Sequence, residues 1–176
     1  MQRYKIVFGG TMGAGKTQAI TALSEIPVLQ TEALNTDTFA HAKMLTTVGI
    51  DYGEISLADE SKISLYGTPG QARFQFMWPL IAQGALGIVL LIDHSSDGAL
   101  DDLKSYLKAF GESQPHEFVI GVTHVDERPN KSLEPYRQYL QQIKQSYPLF
   151  VIDARQKDDI LLLVNSLISV LEYKAI

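Results

Sequence analysis

Gly10, Gly15, Lys16 and Thr17 stand at the spacing GxxxxGK[ST] within KIVFGGTMGAGKT, residues Lys5 to Thr17. Four residues between two glycines let the backbone curl so that successive N–H groups point inward, a geometry that cradles the oxygens of a polyphosphate. Gly9, Gly10, Gly13 and Gly15 can take backbone angles that a side chain forbids, and Ala14 completes the curl. Lys16 adds a point charge suited to β- and γ-phosphates, and Thr17 offers a hydroxyl to Mg²⁺. Gln18 follows on the first turn of a helix whose positive end would face the anion. The plain alternative is a glycine-rich turn with an exposed lysine. Context separates the two readings, because the loop lies between an apolar run, Ile6-Val7-Phe8, and an amphipathic segment.

The elements around this loop follow from periodicity. Apolar runs of strand length occur at Tyr4 to Phe8, Gly87 to Asp93, Phe118 to Thr123 and Leu149 to Asp153. Amphipathic segments lie between or after them, at Thr17 to Ser24, Leu100 to Phe110, Leu133 to Ile143 and Asp159 to Leu171. Such alternation predicts an α/β fold with helices on both faces of a mixed, mostly parallel sheet of about six strands. One antiparallel edge strand is expected, since Ile50 to Leu57 and Lys62 to Tyr66 alternate apolar with polar residues around the turn Ala58-Asp59-Glu60-Ser61. Thr31 to Thr47 shows little periodicity, and a connection of that length is usually functional.

Composition bounds the remaining possibilities. With 176 residues, no internal repeat and no linker, the chain fits a single domain over 1–176. A formal net charge of −5 argues against a nucleic-acid-binding surface. The absence of cysteine excludes disulfides, thiolate metal sites, prenylation and palmitoylation within this sequence. Met1-Gln2 is no myristoylation start, no signal peptide is evident, and the apolar stretch Ala85 to Ile92 is too short to span a bilayer. A soluble, cytoplasmic protein without a lipid anchor is the resulting expectation.

The phosphate loop, TTVGIDYGEI, LYGTPGQARF and THVD follow one another in the order and rough spacing of the Ras-like small GTPases, and the resemblance covers nearly the whole chain. It implies a P-loop NTPase three-layer fold that binds GTP or GDP with Mg²⁺. TVGIDY resembles the Rab and Arf version of the first switch, where Thr47 would hold Mg²⁺ and sense the γ-phosphate; Thr46 and Thr47 could also simply start a strand. Thr68-Pro69-Gly70-Gln71 resembles the second switch, in which the Gly70 N–H would meet the γ-phosphate and Gln71 would orient the attacking water. Gly67 stands where most members carry a magnesium-shell aspartate, and Asp37, Asp51 and Asp93 are the candidate substitutes, left unranked by the sequence. That gap, and the proline before Gly70-Gln71, are shared with the bacterial MglA-type polarity GTPases, which IVLLID and Asp153-Ala154-Arg155 also resemble.

Other positions keep two readings. Met12 replaces a glycine of Ras proper and either crowds the space of an arginine finger or packs on a neighbouring loop. Arg73 is either a catalytic neighbour of Gln71 or a surface residue. In Thr123-His124-Val125-Asp126, at the place of NKxD, Asp126 would accept hydrogen bonds from the guanine ring nitrogen and exocyclic amine, or else serve as a turn residue. Thr123 would take over part of the asparagine's loop bonding, while His124 would stack on the base. Ala154 would meet the guanine oxygen through its backbone N–H, with Arg155 beside it. Phe74, Phe76 and Trp78 are either packed on the sheet or form a partner surface. The resemblance thus implies a slow GTPase and molecular switch in bacterial signalling, polarity or motility, with a roadblock-domain protein as regulatory partner. A non-catalytic pseudo-GTPase scaffold is the alternative, and an ATP-dependent kinase the more remote one.

Overall fold

The computed structural model describes residues 2–31, 49–112 and 115–174. Among the described residues seven strands form one sheet: β1 (Arg3–Gly9), β2 (Leu29–Thr31), β3 (Ile50–Ser56), β4 (Lys62–Gly67), β5 (Gly87–Asp93), β6 (Phe118–Thr123) and β7 (Leu149–Val151). Their order is β2-β3-β4-β1-β5-β6-β7. All neighbours pair in parallel except at β3, which is antiparallel to both β2 and β4. The mostly parallel sheet with one reversed strand agrees with the sequence. The short strand β2 supplies the seventh member and moves the reversed strand one place in from the edge.

Helices cover both faces. On one side α1 (Lys16–Leu23) and α5 (Lys157–Lys174) pack Ile20, Leu23, Ile160, Leu163 and Leu167 against Ile6 and Phe8 of β1. On the other, α2 (Trp78–Ala82), α3 (Ala99–Gly111) and α4 (Glu134–Gln142) pack Trp78, Leu103, Phe110, Tyr136 and Leu140 against Val7, Leu90 and Ile120. Successive residues of a strand face opposite layers, so a strand covered on both sides must be apolar throughout. β6 is buried along its whole length and β5 as far as Ile92, which explains their unbroken apolar runs. Each fully buried Ile or Leu contributes roughly 1.5–3 kcal/mol. Pairing at the sheet centre is therefore the rigid platform from which the loops emerge.

Five strands, β4, β1, β5, β6 and β7, run the same way and end at one edge. The connections after β1, β4, β6 and β7 carry the phosphate loop, Thr68-Pro69-Gly70-Gln71, His124-Val125-Asp126 and Asp153-Ala154-Arg155, as expected of an open α/β sheet, whose ligand crevice lies beyond the carboxyl ends of its strands, while Gly49 to Ile55 lie at the start of and within the reversed strand β3. Among the described residues no helix is long and apolar enough to cross a membrane.

Candidate functional site

The loop after β1 turns through left-handed backbone at Gly10, Gly13 and Gly15, with φ of 147°, 87° and 101°. At Gly10 a side chain is also excluded by contact, since a Cβ would lie 2.4 Å from the Leu91 carbonyl oxygen. The curl is closed by the Ala14 N–H donating to the Thr11 carbonyl at 3.1 Å. Lys16 and Thr17 open α1 and face a cleft of about 480 Å³ that Gly13, Gly15 and Gln18 also line. Lys16 is 8% exposed, and its ammonium donates to the Thr11 carbonyl at 2.8 Å. Burial pushes its pKa down to about 8, against the opposing pull of the Asp51 carboxylate, so it stays cationic at neutral pH.

Of the three candidate acids, Asp51 is the one that lies beside Gly67 in the cleft among the described residues. The two residues are direct cross-strand partners in the β3–β4 ladder, and a Cβ on residue 67 would come 3.1 Å from both Cβ and Oδ2 of Asp51. The Asp51 carboxylate thus fills the room that a side chain at position 67 would use. It is 5% exposed, lines the cleft, and accepts a hydrogen bond from the Thr17 hydroxyl at 2.5 Å. Asp93 is occupied elsewhere, its Oδ1 accepting from the Ser95 N–H at 2.9 Å and the Ser95 hydroxyl at 2.6 Å. Asp37, Thr46 and Thr47 lie outside the described residues. Among the described residues no three His, Cys, Asp or Glu side chains gather as a metal cage. One carboxylate beside one hydroxyl is instead the oxygen donor set that suits Mg²⁺ when phosphate oxygens and water complete the shell.

The segment after β4 crosses the cleft. The Thr68 N–H and hydroxyl donate to the Phe8 carbonyl at 2.9 and 3.3 Å, fixing the entry. Gly70 lies so close to the phosphate loop that a Cβ there would be 2.4 Å from the Met12 nitrogen. Gln71 is half-buried on the cleft wall, at the start of a 3-10 turn, Ala72–Met77. Trp78 anchors the far end: its buried indole N–H donates to the Pro69 carbonyl at 2.8 Å, and its ring stacks on Tyr106 with centroids 3.9 Å apart. The Tyr106 hydroxyl is buried without a hydrogen-bond partner among the described residues, and burial drives its pKa up. The three aromatics therefore divide, with Trp78 in the core, Phe74 half-buried at the cleft, and Phe76 69% exposed, as is Leu80 on α2 at 60%. Met12 is 73% exposed on the cleft rim instead of packed on a neighbouring loop. Arg73 is exposed and lies over the Phe74 ring at 4.8 Å, a surface position.

The loops after β6 and β7 meet the other side of the phosphate loop. The buried Thr123 hydroxyl donates to the carbonyls of Ala14 and Ile92, at 3.1 and 3.3 Å. His124 adopts left-handed backbone, φ 56°, and its Nε2 lies 3.1 Å from the Gly13 carbonyl while Nδ1 lies 3.0 Å from a Glu127 oxygen. Burial alone would lower its pKa, but the Gly13 carbonyl, Asp93 and Glu127 together hold it above the ordinary value. The imidazole is thus held by its edge to the loop and to Glu127. Asp126 is exposed on the turn Val125–Glu127. Ala154 packs on the phosphate loop, a Cβ on Gly15 falling 2.7 Å from its own. Arg155 grips Asp153 with contacts of 2.7 to 3.2 Å, which pull that carboxyl down to about 2, and it also feels the charge of Asp126. Gly49 of the TVGIDY segment and Gln30 of β2 join the cleft wall, and of the two Gln30 carries no recognisable sequence signal.

A strand, a phosphate-loop curl and a helix at the carboxyl edge of a mostly parallel sheet define a P-loop α/β fold. The comparisons with known proteins point the same way. No family model matches the chain. Similar sequences include the Ras-related protein Rab-8B of Homo sapiens, 29% identical over 112 residues, covering 62% of this chain and 48% of the relative. Rab-13 of Rattus norvegicus is 26% identical over 113 residues, covering 62% and 50%, and Rab-18 of Lymnaea stagnalis 29% over 106 residues, covering 58% and 46%. The match spans about half the length of these relatives.

Proposed function

We propose that this protein is a guanine-nucleotide-binding molecular switch that binds GTP and GDP with Mg²⁺ and hydrolyses GTP slowly. The observation that carries the reading is the convergence on one cleft of the loop amides, buried Lys16, the Thr17–Asp51 pair and the Gly70-Gln71 segment. Similarity to Ras-related proteins supports it.

Lys16 and the loop N–H groups neutralise and orient the phosphates, a task of positioning and charge. Thr17 and Asp51, joined by Thr47, would hold the ion, which when bound would supply positive charge against the phosphates. Gln71 aligns a water molecule with the γ-phosphorus. The water oxygen forms the new P–O bond as the bond to the β–γ bridging oxygen breaks, leaving GDP and phosphate. Asp126 accepts from the guanine ring N–H and amine, the Ala154 N–H meets the guanine oxygen, and Thr123 and His124 hold the two loops together, with Arg155 at the rim. Because Gly70 and Thr47 contact the γ-phosphate only before hydrolysis, its loss releases both segments and changes the partner surface. The proline before Gly70-Gln71 and the absent aspartate at Gly67 favour the MglA-type branch, and with it a bacterial polarity or motility role and a roadblock-domain regulator.

Calorimetric titration with GTP, GDP and ATP, each with and without Mg²⁺, tests this. Guanine nucleotides should bind at least a hundredfold tighter than ATP, and Mg²⁺ should strengthen the guanine complexes. Equal heats for GTP and ATP would overturn the guanine assignment. Tight GTP binding with no phosphate release, even with a regulator present, would leave the scaffold reading in its place.

A further inference from the structure

The loop that carries Asp126 is tied down from behind by a cluster with no part in the scheme above. The Lys131 ammonium donates to two backbone carbonyls of the loop after β5, those of His94 at 2.9 Å and Ser96 at 2.5 Å. The His94 ring returns the contact, its Nε2 lying 3.0 Å from the Lys131 carbonyl. A carbonyl only accepts, so Nε2 carries a proton, and in the neutral ring Nδ1 accepts from the Tyr136 hydroxyl at 2.8 Å. His94 is fully buried and Tyr136 is 2% exposed, so this clasp lies in the core beneath the loop. Arg128 adds an exposed ion pair to Asp97 at 3.2 Å, which counts for little beside it.

Between His124 and Lys131 the chain is a succession of tight turns, with Glu127 N–H to His124 carbonyl, Arg128 N–H to Val125 carbonyl and Lys131 N–H to Arg128 carbonyl. Its front is held to the phosphate loop by His124 and its back to the loop after β5 by Lys131. Asp126 sits on the span between these two moorings, its exposed side chain making no hydrogen bond within the described structure that would aim it. The direction of its carboxylate therefore depends on where the backbone is held.

We infer that Lys131 is a positioning residue for base selection: by clasping the His94 and Ser96 carbonyls it fixes the angle at which Asp126 meets a purine, and so sets the preference for a 2-amino purine over one lacking that amine. The inference rests on the guanine-nucleotide reading above. Inosine lacks the exocyclic amine, so it forfeits one of the two hydrogen bonds that a well-aimed carboxylate accepts from guanine. Loosening the mooring removes the advantage of guanine without touching the phosphate cradle.

The test is competitive displacement of a fluorescent GDP by unlabelled GDP and IDP, on the full chain with Mg²⁺. The unmodified protein should prefer GDP by tenfold or more. In Lys131→Met, which keeps the stem and loses the ammonium, that ratio should fall at least fivefold while IDP affinity changes less than threefold. Lys131→Arg, whose guanidinium can again bridge two carbonyls, should restore at least half of the lost preference. A ratio unchanged in Lys131→Met, or equal weakening of GDP and IDP, overturns the inference and leaves the guanine reading standing. No preference for GDP in the unmodified protein overturns both.

Discussion

The cross-strand placement of Asp51 beside Gly67 yields a prediction that can be read in both directions. Asp51→Asn keeps an oxygen that can accept from the Thr17 hydroxyl but removes the charge from a side chain only 5% exposed. A hydrogen bond to a charged group is worth about 1.5–3 kcal/mol. The Mg²⁺ concentration that half-saturates the slowing of fluorescent GDP release should therefore rise roughly 10- to 100-fold. Asp93→Asn, removing a carboxylate committed to Ser95, should leave it within about twofold. Because residues 51 and 67 are ladder partners, the carboxylate can be carried across the pair. Asp51→Gly should lose the Mg²⁺ response, and Gly67→Asp alone should suffer from two carboxylates in one space. The double exchange should recover at least tenfold over the product of the two single effects, a coupling of about 1.4 kcal/mol or more. An Asp51→Asn protein with the original Mg²⁺ response, or a double exchange no better than additive, would refute the placement.

Three further outcomes are expected. Gly70→Ala drives a methyl group to 2.4 Å from the Met12 nitrogen, so the segment must back away from the phosphate loop; affinity for a non-hydrolysable GTP analogue should drop at least tenfold relative to GDP, and a ratio within twofold of the original would count against the γ-phosphate contact. Lys16, with a pKa near 8 in the free protein, binds phosphate as the cation, so binding takes up a proton above that pH; GDP affinity should be flat below pH 7 and weaken about fourfold by pH 8.5, while Lys16→Arg should show no such slope. Gln71→Leu should lower single-turnover GTP hydrolysis at least tenfold with GDP binding retained, and unchanged turnover would remove Gln71 from the chemistry.

What the sequence disclosed and what it withheld divide along the range of the interactions. The phosphate loop and the apolar strands β1, β5 and β6 are local patterns, and the structure places all of them within a residue or two of their expected bounds. β2 escaped because three residues are too few for alternation to register, and Leu29 is exposed. The place of Asp51 was hidden in a register. Centring the hairpin on Ala58–Ser61 sets Asp51 opposite Thr68, whereas the turn, with Glu60 at φ 66°, sets it opposite Gly67. One residue of slip exchanges the two faces of a strand, so turn chemistry alone could not rank the three acids. Likewise, nothing in the pattern of Phe74, Phe76 and Trp78 reveals that only the last reaches Tyr106, because that contact joins segments 28 residues apart in the chain.

Trp78, bolted to the Pro69 carbonyl and to the ring of Tyr106, splits the exposed apolar skin of its segment into two jaws. Phe76 stands on the stretch between Gly70 and this bolt, and Leu80 stands beyond it on α2. Any slack released at Gly70 must be taken up before residue 78, so it displaces Phe76 while Leu80 keeps station on the helix. A protein gripping both side chains would gauge the gap between them as a caliper does, and paired spin labels at the two positions would read the same gap directly.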